Sequence, residues 1–395
     1  MNRRDILKLA PLAAMANAHG QQLAQGVGSL YPLIESEVPK RLPLSFLDPQ
    51  WKDYRQWKPA ARAKLLDLLH YSPAKIAPRA ELIERVDAGT HWREKVYFNT
   101  TPAIRVPAYV LVPKSLKKPA PAIVALHDHG GFYFWGKEKI VAMPGEHRVL
   151  TDFKQRYYGG KSIADEMASR GYVVIAIDMF YWGERRMLLD DDSAEWRTRP
   201  ASIAKESVAA FNSRASFNEQ LMGRTIASAG FTWSGVMFMD DVRTVDYLVT
   251  RPEVDAKRIA CVGLSVGGLR SCHLAALDDR IKAAVIVGWM TSFPDQLRAH
   301  VRNTIGQTMI VPGLYKQMDY PDVATLAMPA AMLAINGNQD ALFHPEGVRK
   351  AFDKLAACYA KAGIGGRVRT RLYDAPHEFN LEMQAEAWEW LAKWV

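Results

Sequence analysis

The chain has 395 residues, 49% hydrophobic and 24% charged, an ordinary balance for a globular protein. That length exceeds the roughly 250–300 residues one core usually supports, so one large domain with added segments is expected. The net charge of +9 is spread along the chain; even its densest group, Lys114-Ser115-Leu116-Lys117-Lys118, reads as a solvated loop, which argues against nucleic acid as a partner. Three cysteines, Cys261, Cys272 and Cys358, are too few and too odd in number for a disulfide framework.

At the N-terminus, Arg3-Arg4-Asp5-Ile6-Leu7-Lys8 is followed by a short apolar stretch from Leu9 and by Ala16-Asn17-Ala18, a small-residue cleavage pattern. Residues 1–18 are therefore expected to be a twin-arginine export signal, placing the mature protein in the periplasm or outside the cell. No apolar run reaches the roughly 18 residues that a membrane span needs. Residues 19–92 read as an N-terminal helical segment; Pro59 to Leu69, with apolar residues at three- and four-residue spacing, predicts a helix packed on something larger.

From residue 93 to 395 the pattern is that of a single α/β domain. Glu94–Asn99 and Val106–Pro113 predict a hairpin. Short apolar runs at 122–126, 172–177, 258–262, 283–287, 330–335 and 368–372 then alternate with helical stretches. Runs buried on both faces and separated by helices predict a mostly parallel sheet with helices on both sides. Two connections, 185–220 and 291–321, are too long for turns and are expected to be insertions that build a lid and pocket at the strand ends.

Gly263-Leu264-Ser265-Val266-Gly267 lies directly after one apolar run and before a small-residue helix containing Gly268, Ser271, Ala275 and Ala276. A G-x-S-x-G turn in that setting exposes a serine hydroxyl at the sheet edge. Such a hydroxyl becomes a nucleophile only beside a base, and His377, after the last predicted strand, is the candidate. The acid that orients it should lie between them, at a strand end. Asp340 is preferred there over Glu346 and Asp374, giving the chain order Ser, Asp, His. The oxyanion hole needs two backbone N–H groups: Val266 supplies one, and His129 or Gly130, in His127-Asp128-His129-Gly130-Gly131, the other.

His127-x-His129 could alternatively begin a metal site, but only Asp128 and His147 stand nearby as further ligands, and no metal or cofactor is expected. Aromatic residues crowd the strand ends. Phe132, Tyr133, Trp135, Trp182 and Trp289, with Asp178, are the candidate substrate pocket, although core packing explains any one aromatic as well.

With these pieces in place the sequence resembles the bacterial acetyl xylan esterase and dienelactone-hydrolase-like branch of the α/β hydrolases. The likeness is carried by Arg93-Glu94-Lys95-Val96 with Val106-Pro107-Ala108-Tyr109, the His127–Gly131 loop, Asp178 with Gly183-Glu184-Arg185, and the three triad neighbourhoods, from about His91 onward. It departs in having Asp128 where many relatives carry glycine, and Ser265 where dienelactone hydrolases use cysteine. The resemblance implies a serine esterase acting on small acyl esters, with acetylated carbohydrate or oligosaccharide as the leading substrate. Lactones, aryl esters and, further off, peptides are the alternatives.

Overall fold

A computed structural model describes residues 30–299 and 306–395. The twin-arginine motif and the Ala16-Asn17-Ala18 site lie outside those residues. Among the described residues nine strands form one sheet: β1 (Glu81–Asp87), β2 (His91–Asn99), β3 (Arg105–Pro113), β4 (Ala120–Leu126), β5 (Val173–Ile177), β6 (Val254–Leu264), β7 (Ile281–Val287), β8 (Ala331–Gly337) and β9 (Val368–Tyr373). Their order is β1-β2-β3-β5-β4-β6-β7-β8-β9. β1, β2 and β3 run antiparallel, and β3 pairs antiparallel with β5; from β5 to β9 every pairing is parallel. Every residue of β5 and β8 is buried, which requires cover on both faces of the sheet. The six apolar runs and the hairpin of the sequence reading are all strands here.

The longer helices are α1 (Tyr54–Leu68), α2 (Arg148–Tyr158), α3 (Lys205–Ser228), α4 (Trp233–Leu248), α5 (Val266–Leu277), α6 (Pro345–Lys361) and α7 (Leu381–Trp394). α1 is the amphipathic helix expected near Pro59, capped by the Asp53 carboxylate and buried through Tyr54, Trp57, Ala61 and Leu65. α5 packs on β6, β7 and α4, and α7 on β7 and β8.

The N-terminal segment is not helical to its end. Residues 81–87 form β1, joined to β2 through a tight turn in which Gly89 adopts φ +83°. β1 is an exposed edge strand with Leu82 and Ile83 open to solvent, so it lacks the buried alternation by which strands are usually recognised. The first insertion contains a short helix (Ala194–Thr198) and ends in the first part of α3. Among the described residues, no helix is long and apolar enough to cross a membrane.

Candidate active site

β6 ends at Leu264 and α5 starts at Val266, so Ser265 alone makes the turn between them. Its backbone sits at φ +59°, ψ −122°, a costly conformation for a side chain with a Cβ. The surroundings hold it there: the Ser265 N–H donates to the Val287 carbonyl at 2.8 Å, and its own carbonyl accepts from Leu269 at 2.9 Å. The flanking glycines are needed for contact. A Cβ on Gly267 would lie 2.1 Å from the Leu126 carbonyl oxygen, and one on Gly263 would lie 2.4 Å from the Gly267 backbone.

The loops after β8 and β9 bring the other two side chains. His377 Nδ1 hydrogen-bonds Asp340 Oδ2 at 2.6 Å, and Asp340 Oδ1 accepts from the Leu342 N–H at 2.9 Å. Asp340 is buried, while His377 keeps an exposed edge. The carboxylate fixes the proton on Nδ1 and leaves Nε2 with its lone pair. The rival acids are engaged elsewhere: Asp374 accepts from Gln339 Nε2, and Glu346 pairs with Arg349 at the surface.

Ser265 and His377 line one cleft of about 270 Å³, together with Asp128, His129, Gly130 and Gly131 of the loop after β4. Tyr157, Leu264, Leu342, Gly306 and Met309 complete its walls. Val266 begins α5, where first-turn N–H groups have no partner within the helix. The cleft therefore brings Ser265 and the imidazole that Asp340 orients beside the loop after β4, with the first turn of α5 adjoining Ser265.

The structure assigns a different place to the candidate pocket aromatics. Phe132 stacks on Phe153, Tyr133 on Trp182, and Trp289 packs edge-on against Tyr320 and Phe343. All four of Phe132, Tyr133, Trp182 and Trp289 are buried, and Trp135 lies half-buried over His147. None of them lines the cleft, because large aromatics at strand ends close the layer above the sheet. Asp178 is also buried, and its oxygens accept from Lys137 Nζ at 2.7 Å and from the N–H groups of Lys137 and Glu184. Lys137 reaches Glu184 as well, at 2.6 Å, and Glu184 accepts from Tyr97. Burial alone would raise Glu184, but Lys137, Tyr97 and Lys95 bring it down to about 2. Asp178, Glu138 and Glu184 come close enough to hold a cation, and the Lys137 ammonium already occupies that role.

The two histidines of the loop also have partners at both ring nitrogens. His127 is fully buried, and burial pushes it well below the ordinary imidazole range. Its Nε2 accepts from the Met179 N–H at 3.0 Å and its Nδ1 donates to the Asp128 carbonyl at 2.9 Å. His129 Nδ1 accepts from the Gly131 N–H, and its Nε2 donates to Glu219 of α3 at 2.7 Å. Asp128 takes no left-handed backbone; Gly130 and Gly131 take φ +61° and +62° instead.

Sequence reasoning missed Tyr157, Leu342 and Met309 in the cleft, and Glu219 and Lys139 behind it. None carries a local signal: Tyr157 reads as part of an amphipathic helix, and a buried lysine looks like any other lysine.

A strained serine turn between strand and helix on a mostly parallel sheet, with Asp340 and His377 in the loops after β8 and β9, is the architecture of the α/β-hydrolase class. The chain belongs to the Abhydrolase family, whose model matches residues 29–359. It is 30% identical over 291 residues to YtaP of Bacillus subtilis (strain 168), a protein provisionally named a hydrolase; the match spans 74% of this chain and 84% of YtaP. Among solved structures, a Bacteroides fragilis protein provisionally described as an acetyl xylan esterase superposes with a TM-score of 0.67 at 18% identity, covering 89% of this chain and 85% of that one. The glucuronoyl esterase from Solibacter usitatus gives 0.62 at 14% identity, covering 90% and 99%. The protein is thus an α/β-hydrolase by family and fold.

Proposed function

We propose that this protein is a serine carboxylic-ester hydrolase that works through an acyl-enzyme on Ser265, with acetylated carbohydrate as its substrate class. The observation that carries the reading is the 2.6 Å bond from buried Asp340 to His377, in the cleft that also exposes the Ser265 turn. In the first half-reaction Ser265 Oγ bonds to the acyl carbon while His377 Nε2 takes its proton. The carbonyl oxygen becomes an oxyanion facing the Val266 N–H and the N–H of His129 or Gly130. Collapse breaks the ester bond, and the alcohol leaves with the proton from His377. Water then repeats the sequence on the acyl-enzyme, releasing the acid and restoring the serine.

The substrate class is supported by the size of the cleft and by its chemistry. A space of about 270 Å³ suits a short acyl group with part of a ring, and Tyr157 offers that ring an aromatic wall. The acetyl xylan esterase and glucuronoyl esterase names of the structural neighbours agree with a sugar ester. A panel of acetyl, butyryl and octanoyl aryl esters, acetylated xylose oligomers, lactones and peptides tests this, after fluorophosphonate labelling has confirmed an active serine. We expect kcat/KM to fall from acetyl to octanoyl, and acetate to be released from the sugar. Each methylene that fits adds at most about 1–3 kcal/mol, so a steep preference for octanoyl would overturn the acetyl assignment.

We further propose that the chain is exported by residues 1–18. Replacing Arg3 and Arg4 together with lysine is expected to strand the protein in the cytoplasm. An unchanged periplasmic yield would refute this.

A further inference from the structure

The loop that supplies the second oxyanion donor is held from behind by one buried cation. Lys139 sits in a short turn (Lys137–Lys139) and is completely buried. Its Nζ donates to the Asp128 carbonyl at 2.8 Å and to the His129 carbonyl at 2.9 Å, and lies 3.4 Å from Asp128 Oδ2. Three N–H bonds thus find three acceptors, all within two consecutive loop residues. Asp128 is itself fixed by the Tyr158 hydroxyl on Oδ1 at 2.6 Å.

The consequence follows from peptide geometry. In a trans peptide the carbonyl of one residue and the N–H of the next point in opposite directions. Drawing the Asp128 carbonyl toward Lys139 therefore turns the His129 N–H away from it. Drawing the His129 carbonyl the same way turns the Gly130 N–H away too. These are the two N–H groups in contention as the oxyanion donor, and their residues line the cleft while Lys139 does not. Two other side chains pull in the same sense: His127 Nδ1 donates to the Asp128 carbonyl, and Trp182 Nε1 to the His129 carbonyl at 3.2 Å. Gly130 makes the arrangement possible, since a Cβ there would lie 2.4 Å from Asp128 Oδ2. A positive charge at the carbonyl ends also polarises both peptides, strengthening their N–H groups as donors.

We propose that Lys139 is a positioning residue of the oxyanion hole, aiming and polarising the His129 and Gly130 N–H groups by holding the two preceding carbonyl oxygens. The proposal rests on the serine-esterase reading above, and the two can fail separately. If Ser265→Ala stays active the reading itself falls; if Ser265→Ala is inactive but Lys139→Met is normal, only the role of Lys139 falls.

The test compares Lys139→Met with Tyr359→Phe, which deletes a buried hydrogen bond to the Ala330 carbonyl just before β8, at the opposite edge of the parallel strands from the loop after β4. Kinetics are measured on an aryl acetate, inhibition with a trifluoromethyl ketone whose adduct carries an oxyanion, and thermal stability alongside. Lys139→Met is expected to lower kcat by about 10²–10³, the usual effect of an oxyanion donor, and to weaken the ketone by a similar factor. KM should stay within about threefold, since the bonds matter when charge develops. Lys139→Arg, which keeps charge and donors, is expected to recover at least about tenfold of the kcat loss. Tyr359→Phe should lose stability without losing kcat. Should Lys139→Met fail to fold, Lys139→Gln takes its place with the same outcomes. A Lys139→Met enzyme (or its Lys139→Gln replacement) with kcat within about threefold of the parent, or with ketone inhibition unchanged, overturns the proposal.

Discussion

Ser265→Ala is expected to cut turnover on short aryl esters by about 10⁴–10⁶, leaving only what the oxyanion donors and binding supply. KM should change little, because the hydroxyl contributes to bond making rather than to holding the ester. The fold should survive, since the elbow is held by backbone bonds from Val287 and Leu269 and by the close approach of Gly267 to Leu126, none of which involves the hydroxyl. Asp340→Asn is expected to hurt less. It keeps a side chain that can accept from Leu342 and face His377, but it removes the charge that steadies the imidazolium and allows the wrong tautomer. Stopped assays on purified protein, with fluorophosphonate labelling as the second readout, decide both. A Ser265→Ala enzyme at full rate would require another nucleophile. The three cysteines make poor candidates, as all are buried and burial pushes each thiol far up, Cys358 to about 12.

The strands, and the meeting of Asp340 with His377 in the cleft of Ser265, were legible because their signals are local. A five-residue apolar run announces a doubly covered strand, and a Gly-x-Ser-x-Gly turn between such a run and a small-residue helix announces strained backbone. The rest depends on which side chains meet across the sheet. Trp182 and Trp289 have the composition of a sugar site, yet they close the core; Tyr157, one residue before the end of an ordinary helix, reaches the cleft. Asp178 and Lys137, far apart in the sequence, look like two exposed charges until the fold buries them together. β1 was missed for the opposite reason. An edge strand open to solvent on both faces carries no buried period, and only its pairing with β2 makes it a strand.

Arg270→Met is the substitution expected to cost most in stability. Arg270 lies on α5, one and a half turns beyond the nucleophile, and makes a two-point ion pair with Asp241 of α4: Nε to Oδ2 at 2.9 Å and a terminal nitrogen to Oδ1 at 2.6 Å. Both side chains are completely buried. Removing the guanidinium leaves a carboxylate inside the protein without a counter-charge, which costs about 3–5 kcal/mol. The loss also reaches the turn at Ser265, because Asp241 holds α5, which begins at Val266, while the neighbouring Asp240 holds Arg185 after β5 at 2.8 Å. Burial already raises Asp241 above the ordinary carboxyl range against the pull of Arg270, and without Arg270 it rises further. The folded variant then binds a proton that the unfolded chain has released. Its stability falls as pH rises from the unfolded carboxyl value toward the raised folded one, so the deficit against the parent is widest at neutral pH and narrows in acid. Urea unfolding at several pH values reads this directly. The double variant Arg270→Met with Asp241→Leu removes the orphaned charge and is expected to regain most of the loss. If the single variant loses less than about 1 kcal/mol at pH 7, or the second substitution adds to the damage, the pair does not lock α5 to α4.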